Sequence, residues 1–138
     1  MTRAARGYNP VIGRSLRLAR RPDAAVAARE AVDALRETLD EGLVSDLRLL
    51  VTELIATRVT LPGSETAGWL ELDVALETDK VHAEVRDFGQ RRALEPSPFT
   101  FEPEASSGWS IYLIDRLSDR WALSRSESIT RVWFELDV

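Results

Sequence analysis

Apolar residues in this chain follow two rhythms, one with a period near 3.6 and one with a period of two. The first is clearest in residues 47–60, LRLLVTELIATRVT, where Leu47, Leu50, Val51, Leu54 and Ile55 recur at three- and four-residue steps. That spacing predicts a helix with one buried stripe. Glu53 interrupts the apolar run, and Thr57 lies one turn further on the same face. Such a pair either builds a polar site on a rigid element or faces water. Upstream, Ala28, Val32, Leu35 and Leu39 predict a long helix over 24–41, opened at Pro22-Asp23 with Asp23 as N-cap and ended by Gly42. Ser45 is the expected N-cap of the central helix, with Asp46 at its positive end. Ile111, Leu113, Ile114 and Leu117 predict a third helix over 108–117.

The period-two segments read as strands. Residues 14–21 alternate, with Leu16 and Leu18 on one side and arginines mostly on the other, as an edge strand does. Trp69, Leu70, Leu72, Val74 and Leu76 form one arm of a hairpin, and Val81, Ala83 and Val85 form the other, ending at Asp87-Phe88-Gly89. Residues 119–124 and 130–138 make a closing hairpin with Trp121, Leu123, Val132, Phe134 and Leu136 inward, and Trp133 is expected in the core as well. Residues 90–107 carry Pro96, Pro98 and Pro103 and read as irregular, a functional lid or a disordered segment. The element order gives an α+β two-layer sandwich, a mostly antiparallel sheet with helices on one face. A flexible basic arm over 1–13 precedes a single domain over 14–138.

Composition narrows the chemistry. The chain of 138 residues has no cysteine and a single histidine, His82. A thiolate metal site and a Ser-His-Asp triad are therefore disfavoured. No apolar run approaches the length of a bilayer span, and the N-terminus lacks an apolar signal region. The expectation is a cytoplasmic protein without membrane contact. The net charge of −5 conceals an asymmetry. Residues 1–21 hold six arginines and no acid, whereas the remainder holds 12 basic and 23 acidic side chains. The acidic body repels phosphate backbones, so nucleic acid is a disfavoured partner despite the arm.

Three stretches together resemble the histidine kinase-like ATPase domain (the GHKL or Bergerat fold), most of all the small anti-sigma-factor serine kinases of actinobacteria. VTELIATRV at 51–59 resembles the helix that carries a glutamate and, four residues on, a magnesium-binding asparagine. VRDFG at 85–89 resembles the strand end with its aspartate and glycine, and GWSIYLIDRLSDRW at 108–121 resembles the glycine-rich lid and following helix. The resemblance implies ATP and magnesium as cofactors. It places Glu53 as the catalytic carboxylate and Asp87 as acceptor for the adenine amino group. Thr57, Gly89, Gly108 and Ser110 fall at cofactor-binding positions.

The chain departs from the pattern at the phosphate and metal end. Thr57 stands for the asparagine, so no metal ligand is assigned, and Arg58 replaces a usually small residue. Ser110 replaces the second lid glycine, and Trp109 an often polar residue. These departures count against ATP and magnesium as working cofactors. The expectation is a regulatory protein that binds a protein partner, a sigma factor or an anti-sigma antagonist, with Trp109 suited to a partner surface. Relatives of this kind imply a homodimer through the sheet side away from the nucleotide. The alternative is an active ATP-dependent serine/threonine kinase of the anti-sigma type, in which Thr57 ligands magnesium directly or through water. A third reading keeps the pocket for another nucleotide or small ligand.

Overall fold

The computed structural model describes residues 12–60, 68–88, 106–126 and 128–138. Its elements run β1 (Ile12–Leu18), α1 (Ala24–Asp33), α2 (Glu41–Thr60), β2 (Leu70–Leu76), β3 (Lys80–Asp87), α3 (Ser106–Leu117), β4 (Arg120–Arg125) and β5 (Thr130–Asp137). The strands form one antiparallel sheet in the order β1-β2-β3-β5-β4. Helices α1 and α3 each pack against α2. This is the α+β architecture that the alternating patterns predict, with β1 at a sheet edge. Among the described residues no helix is long and apolar enough to cross a membrane.

Register explains where the core sits. One row of inward side chains crosses the whole sheet: Leu16, Leu72, Val85, Val132 and Leu123 are successive cross-strand partners. A second row joins Val74, Ala83, Phe134 and Trp121. The helical stripe of α2, Leu47 to Ile55, is fully buried in the same cluster. Each such side chain contributes roughly 1.5–3 kcal/mol by leaving water, so the α2 stripe is a large part of the cohesion of the domain.

Several boundaries differ from the sequence reading. Helix α1 stops at Asp33, and residues 34–38 continue as tight turns in which the Leu35 N–H donates to the Val32 carbonyl at 2.9 Å and the Thr38 N–H to the Leu35 carbonyl at 3.0 Å. These turns keep Leu35 and Leu39 buried, so the periodicity persists without a continuous helix. Helix α2 starts at Glu41, which puts Gly42 and Ser45 inside it. Its cap is Asp40, whose Oδ2 accepts the Leu43 N–H at 3.1 Å. Asp23 stands at the N-cap of α1 without a side-chain cap bond. Strand β1 begins at Ile12, two residues before the expected start, and α3 begins at Ser106. The remainder of the expected 90–107 lid, like residues 1–11, lies outside the described residues.

Trp133 is a correction. With Val132, Phe134 and Leu136 inward, alternation sends Trp133 to the outer face, where it stacks on His82 at 5.5 Å. That face carries a charge ladder centred on Glu84, which accepts hydrogen bonds from Arg131 and Arg86 and contacts His82. Burial pushes the Glu84 pKa up, but the Arg131, Arg86 and His82 hydrogen bonds outweigh it and bring it to about 2.

Candidate functional site

Three charged residues continue the apolar patterns that bury their elements. Arg58 follows Ile55 by three positions and Leu54 by four, so it lies on the buried stripe of α2. Asp87 follows Val81, Ala83 and Val85 in the inward alternation of β3. Arg20 follows Leu16 and Leu18 just beyond β1. The geometry obeys the pattern. Arg58 is fully buried, Asp87 is 3% exposed, and the Arg20 side chain is 4% exposed.

These side chains meet. Arg58 donates from Nε to Asp87 Oδ2, and its Nη2 makes an ion pair with the same oxygen. Arg20 Nη2 pairs with Asp87 Oδ1. Arg20 Nη1 also donates to the Arg58 carbonyl oxygen at 3.4 Å. Both oxygens of one buried carboxylate are thus held by guanidinium groups from two other elements. A buried charge is tolerated only when paired in this way. The arrangement ties the end of β1 and the C-terminal half of α2 to the end of β3.

The remaining candidates lie on α2 and α3 or outside the described residues. Thr57, beside Arg58 on α2, is nearly buried, and its Oγ1 donates to the Glu53 carbonyl oxygen at 2.8 Å. Glu53 is half-buried, and no ion pair or side-chain hydrogen bond engages its carboxylate among the described residues. Ser110 is buried on α3, which packs on α2, and Gly108 lies in the first turn of α3. Gly89 lies outside the described residues. The structure therefore joins Asp87 to α2 through Arg58, immediately after Thr57. It gives Asp87 an internal occupant in place of an open face.

The residues present do not fit ATP and magnesium at the two ends the structure describes. An adenine amino group needs a carboxylate oxygen that can accept from it, and both Asp87 oxygens already face arginine donors that compete for that role. Magnesium prefers hard oxygen ligands in octahedral order, commonly carboxylates. Thr57, which stands where the magnesium-binding asparagine is expected, directs its hydroxyl back into its own helix.

Arg20 was not singled out by the sequence reading, and Arg58 figured there only as a replacement for a small residue. The signal that marks both is positional. A charge at the next step of an apolar stripe is forced inward and requires an opposite charge at another inward position. Asp87 is that position.

A family model described as the histidine kinase-like ATPase domain matches residues 18–136. No curated protein matches the chain.

Proposed function

The chain belongs to the histidine kinase-like ATPase domain family, and from that premise we propose that it is a regulatory protein of the anti-sigma serine kinase type that acts by binding a protein partner rather than by phosphoryl transfer. The observation that carries this reading is the Arg20–Asp87–Arg58 clasp, which engages the carboxylate an adenine base would need. Phosphoryl transfer depends on placing the nucleotide and its metal, and the clasp and Thr57 leave neither end suited to that task.

A surface for the partner is available on α3. Trp109 is 41% exposed and stacks on Tyr112 at 5.6 Å, and the Arg116 guanidinium lies over the Tyr112 ring at 5.4 Å. Aromatic and arginine side chains are the groups that most often anchor protein interfaces. The partner class this reading favours is a sigma factor or an anti-sigma antagonist. A homodimer through the outer sheet face, with its ladder of both charge signs, belongs to the same reading.

The competing reading is a working serine/threonine kinase. Glu53 favours it, because its carboxylate is held by no ion pair among the described residues. Incubation of the protein with sigma factors and anti-sigma antagonists from its own source, with and without magnesium-ATP, separates the two. The proposal expects a complex that forms equally well without nucleotide, weakens in Trp109→Ala, and gains no phosphate. Transfer of phosphate to a partner serine or threonine, abolished by Glu53→Ala, would establish the kinase instead.

A further inference from the structure

The outer side of α3 carries a strip that the core does not use. Trp109, Tyr112 and Arg116 follow one another at steps of three and four, so they share one face of the helix, while Ile111 and Ile114 are buried on the other. The strip is ordered before anything binds. Tyr112 stacks on Trp109 at 5.6 Å with the ring planes 18° apart, and the Arg116 guanidinium lies over the Tyr112 ring at 5.4 Å. Trp109 and Arg116 nevertheless remain exposed. We infer that this strip is the docking surface for an acidic amphipathic helix of a protein partner, one that presents a carboxylate to Arg116 and a large apolar side chain to Trp109.

The charge of the strip selects the partner. Arg86, Arg120 and Arg131 each have a carboxylate within ion-pair reach. No ion pair engages Arg116 among the described residues, and its guanidinium rests on the Tyr112 ring. The adjacent carboxylate, Asp115, turns to β4 and accepts a hydrogen bond from Trp121 Nε1 at 3.0 Å. The strip therefore holds a positive charge without its counter-charge. A guanidinium lying flat on a ring keeps its N–H edge for a carboxylate, which it can grip through two bonds. The exposed indole beside it is an anchor for apolar surface. From Trp109 to Arg116 the helix rises about 10 Å. A second helix laid along α3 matches that span with side chains two turns apart. A basic helix would set like charges together.

This inference rests on the reading that the protein acts by binding a partner through α3, and it adds the chemistry of that partner. The probe is a displayed library of alanine-rich helices, about 20 residues long so that each holds its helix alone, with one face randomised. The library is depleted on the Trp109→Ala/Arg116→Ala double variant and then selected on the native protein. Both positions are exposed, and far-UV circular dichroism checks that the variants are folded. The enriched helices are expected to carry an acid and a large apolar side chain about two turns apart on one face. In fluorescence anisotropy, Arg116→Glu should weaken an enriched helix at least about tenfold, the scale of one hydrogen bond to a charged group. Replacing the acid of that helix by lysine should restore binding to Arg116→Glu.

Enrichment of helices without an acid, or of none at all, would overturn the inference, and so would a lysine helix that fails on Arg116→Glu. Dimerisation of the protein alone in sedimentation, or binding to anionic phospholipid vesicles, would give the strip another occupant if Arg116→Glu abolished it, and would overturn the inference as well. The two readings fail separately. A complex with a sigma factor or an anti-sigma antagonist that survives Arg116→Glu unchanged would overturn the inference and leave the proposed function standing. Acid-selective helix binding at α3, with no complex formed by either partner class, would overturn the proposed function alone.

Discussion

Replacing Asp87 by asparagine tests whether the clasp is real. The substitution keeps the shape of the side chain and removes its charge. It takes away the charge that pairs with Arg58, fully buried, and with Arg20, nearly so. Breaking a buried ion pair by removing one partner costs about 3–5 kcal/mol. A domain of this size has a total stability of roughly 5–15 kcal/mol, so the variant should lose a large fraction of it. The corresponding fall in Tm is on the order of 10–20 °C. Urea unfolding followed by far-UV circular dichroism measures it, with an unchanged m-value showing that the effect lies in stability. An aspartate that lined an open ligand pocket would behave differently, because substitutions at exposed positions usually stay within about 0.5 kcal/mol. A loss of that size in Asp87→Asn would refute the reasoning.

Other expectations follow from the same structure. The Glu84 pKa of about 2 lies below its ordinary value of 4.5, so the unfolded chain binds the proton first as pH falls. The stability Glu84 contributes is therefore fully present above pH 4.5 and is lost as pH falls toward about 2. Glu84→Gln should flatten the dependence of urea stability on pH in that window and leave its shape above the window unchanged. Asp40→Ala removes the cap bond to the Leu43 N–H and should destabilise the fold by about 1 kcal/mol in urea unfolding. Glu53→Gln removes a half-buried carboxylate without an ion pair and should change stability by less than about 0.5 kcal/mol in the same assay.

Much of the fold was legible because each apolar pattern matches one buried face. The stripe from Leu47 to Ile55 and the alternations in β2, β3 and β5 are buried as their periods require. The helix boundaries near residues 33–41 were less legible, because Leu35 and Leu39 remain buried whether the backbone continues as a helix or tightens into turns. Asp40 and Ser45 are both good caps by type, and only the path of the chain decides between them. Trp133 shows the limit of reading a large aromatic as core, since its neighbours' alternation places it outside, on His82. At the site, the resemblance singled out Glu53, Thr57 and Asp87 as candidates. The contact between Asp87 and two arginines could not be read from the sequence, because it joins residues 29 positions apart in one case and depends on how β1 ends in the other.

The central claim is that Asp87 is engaged internally and unavailable to an adenine base. Titration of the native protein with ATP, in the presence and absence of magnesium, tests it most directly. Calorimetry should show no binding heat up to millimolar ATP under either condition, and ATP should leave Tm unchanged. Saturable binding accompanied by a rise in Tm, and lost in Asp87→Asn refolded to a native circular dichroism spectrum, would contradict the account.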